Sequence, residues 1–86
     1  MSDLSKQENI GKELEKKFIK VGINNFAELQ SLGTEKAFIQ LQAIDLGPCL
    51  NMLYAIEGAI QGIRWHNLTK ERKQELKEFY NITHNE

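Results

Sequence analysis

The sequence has one cysteine, one proline and one tryptophan among its 86 residues. A single cysteine excludes a disulfide bond within the chain. One proline and six glycines are too few for a low-complexity or disordered chain. Neither sign of charge dominates, because 11 lysine and arginine residues are matched by 12 aspartate and glutamate residues. The composition therefore lacks the basic excess that is usual for a protein that binds duplex DNA.

The first nine residues, MSDLSKQEN, contain no apolar run. A secretory signal peptide needs an apolar segment of about 7–15 residues, so we expect no signal peptide and a cytoplasmic location. The hydrophobic fraction of 41% and the charged fraction of 27% are typical of a globular domain. We predict one domain over residues 1–86. Residues 1–8 are expected to be loose or to form one short helical turn, and residues 81–86 to fray.

Apolar residues recur at helical spacing along most of the chain, and no stretch alternates apolar and polar residues as a strand would. The pattern predicts an all-α fold, a compact bundle of about five helices. Its central helix is predicted over Pro48–Trp65, because this stretch is apolar on more than one side. Glu57 and Arg64 within it would make a membrane span costly, so we expect no membrane insertion.

Small residues mark the predicted helix ends, with glycine after helices and asparagine or threonine before them. These positions are Gly22, Gly33, Asn25, Thr34 and Thr69. Glu28, three residues after Asn25, is the expected partner in a capping box. The last helix is predicted over Lys70–Tyr80.

The central stretch contains two glycines four residues apart, Gly58 and Gly62. Glycine inside a helix costs about 1 kcal/mol relative to alanine. We therefore expect close helix packing there, either within the chain or at an interface with a second copy. Trp65 is interpreted as part of the core, with an interface anchor as the alternative. Glu57 is predicted to be a buried acid bonded to a backbone N–H or to a lysine or arginine.

Asn9-Ile10-Gly11 and the helix after it resemble the second half of a helix-hairpin-helix unit, in which backbone N–H groups at a helix start bind a nucleic-acid phosphate. The resemblance implies phosphate or DNA contacts by Gly11, Lys12, Lys16, Lys17 and Lys20. Asn9 replaces the first glycine of the motif, however, and Glu13 places a negative charge in the first turn. We therefore favour the alternative, in which Gly11 permits a tight helix entry and the lysines form a solvated face.

Few residues suggest catalysis or metal binding. Cys49, His66 and His84 lack the spacing of a metal site, and Cys–His catalysis would need a third, orienting group. Cys49 is more simply predicted to be a small buried residue. We expect no enzyme activity, no metal and no cofactor. A deep pocket that holds Glu57 together with His66 would be needed for an enzymatic function.

Three longer strings carry a family resemblance: NIGKELEKKFIKVGINNFAELQSLG, EKAFIQL and CLNMLYAIEGAIQGIRWHNLTKERKQELKEF. They extend from about Asn9 to Phe79 and are similar to the C-terminal domain of the TfoX (Sxy) competence regulators. The resemblance implies a compact bundle of about five helices with a helix-hairpin-helix-like N-terminal half. Full-length members of that family control competence genes alongside a cyclic-AMP receptor protein and carry an additional N-terminal α/β domain. The residues before Asn9 are too few for that domain, so we expect a stand-alone domain.

Two functions are consistent with these features. The first is a non-enzymatic interaction or regulatory module that binds a protein partner or itself, as a homodimer. The alternative is a helix-hairpin-helix-type nucleic-acid-binding module in transcriptional regulation. The formal net charge of −1 favours the first, because binding to nucleic acid depends on neutralising phosphates with basic residues.

Overall fold

A computed structural model describes residues 3–44 and 49–84. These ranges contain five α-helices and two short 3₁₀ turns, and no strand. In chain order they are η1 Leu4–Lys6, α1 Lys12–Lys20, α2 Phe26–Leu32, α3 Thr34–Ile44, α4 Leu50–Gln61, η2 Trp65–Asn67 and α5 Lys70–His84. The predicted all-α bundle of five helices is confirmed. None of the helices in these ranges is both long and apolar enough to cross a bilayer.

The central position of α4 is also confirmed, since it contacts α2, α3, α5 and η2. Leu53, Ile56 and Ala59 of α4 are fully buried. A helix that packs against neighbours on several sides must be apolar on several sides, and this accounts for the long uncharged stretch in the sequence. Pro48, predicted to begin this helix, lies outside the described residues.

The predicted C-terminal end of the central helix, at Trp65, was wrong. The helix ends at Gln61, and Gly62 follows in the left-handed conformation with φ +77°. The Ile63 N–H then donates to the Gly58 carbonyl at 2.9 Å. This is the hydrogen bond of a Schellman motif, which closes a helix and turns the chain away from its axis.

Residues 3–8 are more ordered than the prediction of a loose segment allowed. Leu4 is fully buried in the core, and η1 is the single helical turn that was the alternative. Asp3 Oδ1 accepts the Phe26 N–H at 2.8 Å, which attaches the segment to the start of α2. The apolar side chain of Leu4 explains the difference, because burying one leucine contributes about 1.5–3 kcal/mol.

The predicted end of the last helix, at Tyr80, was wrong, because the helix continues into the residues that were expected to fray. The helix α5 runs to His84, while residues 85 and 86 lie outside the described ranges. Thr83 Oγ1 donates to the Tyr80 carbonyl at 2.9 Å and accepts from Gln42 Nε2 of α3 at 3.4 Å. This link to α3 stabilises the final turn.

Two of the predicted helix ends are confirmed by their hydrogen bonds. Gly22 has φ +87°, and the Ile23 N–H after it donates to the Phe18 carbonyl at 2.9 Å. The Arg72 N–H donates to Thr69 Oγ1 at 3.1 Å, so Thr69 caps α5.

The predicted cap at Thr34 was wrong. Thr34 is the first residue of α3, and the Ala37 N–H donates to the Gly33 carbonyl at 3.1 Å. Gly33 therefore occupies the cap position and joins α2 directly to α3. The hydroxyl of Thr34 does not cap the helix and instead forms a buried hydrogen bond inside the fold.

Asn25 is confirmed as the cap of α2, since its Oδ1 accepts the Glu28 N–H at 2.9 Å. Glu28 Oε1 in turn accepts a hydrogen bond from the Asn24 N–H at 2.7 Å. In a standard capping box the donor would be the N–H of the cap residue itself, one residue later. We expect Asn25→Ala to lower the free energy of unfolding by about 1 kcal/mol, measured as a lower urea midpoint with an unchanged slope. Asn24→Ala is the matched control, because it keeps the backbone donor; an equal loss in both variants would contradict this prediction.

Candidate functional site

The hairpin-like segment before α1 is held against α4 by one side chain. Asn9 has a positive φ of 68°, a conformation that asparagine tolerates better than most residues. Its Nδ2 donates to the Ile63 carbonyl at 2.9 Å and to the Ala55 carbonyl at 3.4 Å. Its Oδ1 accepts the Trp65 N–H at 3.4 Å. Asn9 therefore joins the segment to α4 and η2.

The lysines of α1 form a stripe on its outer face. Lys12, Lys16 and Lys20 are spaced four residues apart and are all exposed, on the side opposite the buried Leu14 and Phe18. Lys17 is only half-buried and lies off this stripe.

Acidic residues and an open helix start accompany that stripe. Glu13 is exposed on the same helix, whereas Glu15 turns back to accept the Ser5 N–H at 3.2 Å. Gly11 precedes α1 with extended backbone, and a Cβ built there would meet no atom within 4 Å. Gly11, Lys12, Lys16 and Lys20 are thus all accessible, and the three lysines lie on one face of α1.

Gly58 is in close contact with its own chain and not with another helix or an exposed interface. It is buried, and a Cβ built on it would lie 2.5 Å from Asn9 Nδ2, 2.8 Å from the Ile63 carbonyl oxygen and 3.1 Å from Trp65 Cα. Of the two alternatives predicted for Gly58, packing within the chain or against a second copy, its surroundings agree with the first. Gly62 was assigned to the same packing face, but it is the exposed left-handed cap of α4 with no atom near its missing Cβ.

The buried acid Glu57, 8% exposed, lies in a network that joins three helices. Its Oε1 accepts from Thr34 Oγ1 of α3 at 2.7 Å and from Arg72 Nη2 of α5 at 2.8 Å. Its Oε2 accepts from Gln61 Nε2, one turn further along α4. Every oxygen of the carboxylate thus has a donor, as a buried charge requires.

The guanidinium of Arg72 connects this carboxylate to the surface. Its Nη1 lies 3.2 Å from Glu35 Oε2 on α3 and 3.1 Å from Glu75 Oε1 on α5. The Arg72 side chain remains 25% exposed, so the network runs from the interior to the solvent. One arginine therefore forms ion pairs with three carboxylates.

The network fixes the charge state of Glu57. Burial by itself would raise the pKa of this carboxyl, but hydrogen bonds from Arg72, Gln61 and Thr34, together with the positive charge of Arg72, outweigh it and lower the pKa. The same hydrogen bond to Glu57 raises the pKa of Arg72. Glu57 is consequently ionised at neutral pH and is a poor proton donor.

Trp65 is half-buried at the start of η2 and belongs to a stack of rings. The Tyr54 and Trp65 ring centroids are 5.9 Å apart at an interplanar angle of 19°. The Trp65 and His66 centroids are 4.0 Å apart at 27°. Lys73 Nζ lies 5.8 Å from the Trp65 centroid. Trp65 is therefore neither fully in the core nor a free anchor.

Exposed or half-buried apolar residues lie on α3 and α5, close to the sides on which these two helices are linked. On α3, Ile39 is 48% exposed and lies on the same side as Glu35 and Gln42, four residues before it and three after it. Glu35 pairs with Arg72 and Gln42 bonds to Thr83, so this side of α3 faces α5.

The rest of these apolar residues are on α5, where Phe79 lies on the side that is linked to α3 and Ile82 lies on the flank next to it. Phe79 lies between Arg72 and Thr83 in sequence and is half-buried, with its ring centroid 6.4 Å from that of Phe38. Ile82, three residues after Phe79, is 69% exposed. We call Ile39, Phe79 and Ile82 the α3–α5 strip. Exposed glutamates at helical spacing from Ile82 border it: Glu71, Glu75 and Glu78.

Cys49 was predicted to be buried, but it is exposed at the residue before α4, where its side chain makes no capping bond. As the N-cap residue it precedes α4, so it need not share the apolar face that buries Leu53 and Ile56. Within the described residues, no group of histidine, cysteine, aspartate and glutamate is arranged to hold a metal ion.

The family model of the TfoX C-terminal domain matches residues 1–80. The chain belongs to this family. As a TfoX C-terminal domain it is similar to two crystal structures from Listeria monocytogenes. The triclinic form of an uncharacterised protein has a TM-score of 0.92 and 46% identity, covering 93% of this chain and 91% of that one. The tetragonal form of a protein of unknown function has a TM-score of 0.90 and 47% identity, covering 92% and 98%. No curated protein matches the chain.

Three side chains that organise this TfoX C-terminal domain were missed from the sequence: Asn9, Thr34 and Arg72. Thr34 was assigned to a local cap, and its partner Glu57 lies 23 residues away. Asn9 was treated as a missing glycine, although asparagine supplies both the left-handed backbone and an amide for hydrogen bonds. The buried Glu57 indicated that a cation must lie nearby. Residues 64–73 contain four lysines and arginines, and the sequence did not show which of them, Arg72 included, pairs with Glu57.

Proposed function

We propose that this TfoX C-terminal domain is a non-enzymatic module that binds a protein through the α3–α5 strip. The observation that carries this proposal is the strip itself, because Ile39 and Ile82 leave apolar surface exposed beside the half-buried Phe79. Apolar surface rimmed by charge is typical of protein interfaces. We also propose that this binding serves regulation, and that part rests on family membership alone.

The non-enzymatic part is supported by the state of Glu57. A general acid must release a proton near the working pH. The lowered pKa of Glu57 and its bonds to Arg72, Gln61 and Thr34 hold it as an ionised structural group. His66 and Glu57 are not linked by any hydrogen bond of the described residues, and His66 stacks on Trp65 instead.

A second copy of the chain is a partner that fits the strip. The glutamates beside Ile82 call for a surface that combines basic and apolar groups. The outer face of α1 has this composition, with Lys12, Lys16 and Lys20 in a stripe and Ile19 beside them, 44% exposed. Pairing α1 of each copy with α5 of the other would make a closed two-fold dimer.

We expect the protein to form a dimer whose mass, measured by light scattering, falls to that of a monomer in an Ile39→Asn/Ile82→Asn variant. Both residues are exposed, so the free energy of unfolding of the monomer should change by less than about 0.5 kcal/mol. Ile44→Asn is the matched control, because Ile44 is 49% exposed as the last residue of α3 and is not part of the strip. It should leave the mass unchanged.

A wild-type protein that stays monomeric at every concentration would exclude self-association and leave another protein as the partner. Capture of that protein should then be lost in the Ile39→Asn/Ile82→Asn variant and kept in Ile44→Asn. If neither mass nor capture distinguishes the two variants, the α3–α5 strip is not an interface and the proposal fails.

A second candidate function, helix-hairpin-helix-type binding of nucleic acid, is supported by the accessible surface of Gly11, Lys12, Lys16 and Lys20. Glu13 on the same surface opposes it. Binding to a short DNA duplex that weakens steeply with salt, and weakens further in Lys16→Gln, would favour this function. Duplex affinity that is unaffected by Lys16→Gln would remove it.

A further inference from the structure

The ring stack of Tyr54, Trp65 and His66 lies on the surface of the domain, away from the α3–α5 strip. His66 is exposed, Trp65 and Tyr54 are half-buried, and the rings are within 27° of parallel from one member to the next. We call these three residues the ring stack. The accessible end of the ring stack is therefore the imidazole of His66, whose inner face packs on the indole of Trp65.

Hydrogen bonds from three separate elements hold the ring stack in place. The Tyr54 hydroxyl donates to the Lys73 carbonyl of α5 at 3.5 Å. Lys73 Nζ donates to the His66 carbonyl, also at 3.5 Å. The Trp65 N–H is bound by Asn9 Oδ1. A ligand that stacks here would not have to order the rings first, and this preorganisation favours binding.

The charged residues next to the ring stack in the sequence are mostly basic. Residues 64–73 read RWHNLTKERK and include one acidic residue, Glu71. Arg72 is occupied by its three glutamates, whereas Arg64 and Lys70 are exposed. Lys70, Arg72 and Lys73 all lie in the first turn of α5, where the helix dipole disfavours positive charge. An anionic ligand would offset this unfavourable placement.

We propose that the ring stack is a binding platform for single-stranded nucleic acid. An unpaired base stacks on the outer face of the His66 imidazole, and the phosphates on either side bind Arg64 and Lys70. Aromatic rings for bases beside cations for phosphates are the features by which proteins bind single strands without sequence preference. A duplex would bind less well, because its bases are already stacked on one another.

A membrane surface is less suitable as the ligand. Interfacial binding needs apolar side chains that insert among the lipids. The exposed large apolar residues of the described ranges are Ile19, Ile39, Ile44 and Ile82. None of them belongs to η2 or to the first turn of α5, so the surface around the ring stack offers rings and charges without an inserting group.

Trp65 is the one tryptophan of the chain, so its fluorescence reports directly on the ring stack. We expect a short oligothymidylate to quench Trp65 fluorescence at low salt, with an affinity that falls as salt rises. Two phosphate contacts predict a slope of log K against log salt of about −1.4.

The affinity of variants is measured by the anisotropy of a labelled oligothymidylate, since His66→Ala also alters the environment of Trp65. His66→Ala should weaken binding about 5-fold to 100-fold through the loss of stacking. Arg64→Gln should weaken it as well and make the salt slope shallower by about 0.7. Both residues are exposed, so the variants should fold normally, which circular dichroism checks.

Lys16→Gln is the control, because it alters the α1 surface of the duplex-binding candidate and not the ring stack. It should leave the affinity for oligothymidylate unchanged. Loss of binding in Lys16→Gln but not in His66→Ala would overturn the proposal in favour of α1. Quenching by phosphatidylserine vesicles without quenching by oligothymidylate, or no binding at low salt, would also overturn it. Because the dimer test depends on Ile39 and Ile82, failure of one proposal leaves the other intact.

Discussion

Replacing Arg72 with methionine is expected to lower the free energy of unfolding by about 3 kcal/mol at pH 7. Removing one partner of a buried ion pair typically costs about 3–5 kcal/mol, because the other charge is left buried without compensation. The Arg72 side chain is 25% exposed, which places the effect at the low end of that range. The variant leaves Glu57 buried among α3, α4 and α5, with Glu35 and Glu75 nearby and no cation between them.

The loss should depend on pH in a defined direction. The pKa of Glu57 in the folded protein is below its ordinary value of 4.5. Ionised Glu57 therefore stabilises the wild type above about pH 4.5, and this contribution is lost as pH falls through the lower folded pKa. Without Arg72, the effect of burial, which raises the pKa of Glu57, is opposed less. Protonation of Glu57 at low pH should therefore restore part of the stability that the variant has lost. The difference between wild type and variant should be largest at pH 7 and shrink towards pH 4.

Urea denaturation of both proteins at pH 7 and pH 4 measures the effect. Lys77→Met is a suitable control, since Lys77 is an exposed lysine of the same helix and its loss should change stability by no more than about 0.5 kcal/mol. A loss in Arg72→Met that is equal at the two pH values would show that packing of the side-chain stem, and not its charge, stabilises the fold.

The features that were predicted from the sequence are those fixed by local chemistry. Gly22, Asn25 and Thr69 end or begin helices through bonds that span three to five positions in the sequence, so the pattern of neighbouring residues was sufficient. The central position of α4 was also predictable, because its apolar residues on several sides can be satisfied only by several neighbours.

The features that were missed depend on which of two local roles a residue takes. Gly62 fits both a helix interior and a left-handed cap, and the sequence pattern does not distinguish the two. The choice is made by the path of Ile63–Trp65, which turns back over Gly58. Thr34 likewise fits a cap, but bonding to Glu57 satisfies a buried carboxylate, and Gly33 needs no side chain to occupy the cap position.

The candidate surfaces were predictable only in part, for the same reason. The lysine stripe of α1 follows from spacing within one helix. The α3–α5 strip and the ring stack combine residues from two or more elements, such as Tyr54 with Trp65 and Lys73. The charge counted over the whole chain also concealed the basic residues 64–73, because acidic residues elsewhere in the chain balance them.

Asn9 and Gly58 together determine how the chain leaves α4, and replacing Gly58 should therefore be severe. Gly58→Leu is expected to lower the free energy of unfolding by about 3 kcal/mol, the upper part of the usual range for overpacking. Its Cβ alone would lie 2.8 Å from the Ile63 carbonyl oxygen and 2.5 Å from Asn9 Nδ2. The rest of the leucine would displace the Asn9 amide from its bonds to Ile63 and Trp65.

Gly58→Ala separates the effect of the Cβ from the effect of the rest of the leucine side chain. It should lower the free energy of unfolding by roughly 1–3 kcal/mol despite the better helix propensity of alanine. Asn9→Gly removes the amide while keeping the positive φ. In that background Gly58→Ala should cost less, because one of its close contacts is gone, whereas the contact with the Ile63 carbonyl remains. The double-mutant cycle, measured by urea denaturation, gives the coupling between the two residues.

Gly62→Ala provides the comparison, since a Cβ there meets nothing within 4 Å and acts only through its φ of +77°. Its cost, of the order of 1 kcal/mol, should be the same with and without Asn9→Gly. Equal coupling of Gly58 and Gly62 to Asn9 would mean that Asn9 stabilises the end of α4 as a whole and does not act through contact with Gly58. Coupling confined to Gly58 would show that this glycine is required by the asparagine that packs on it.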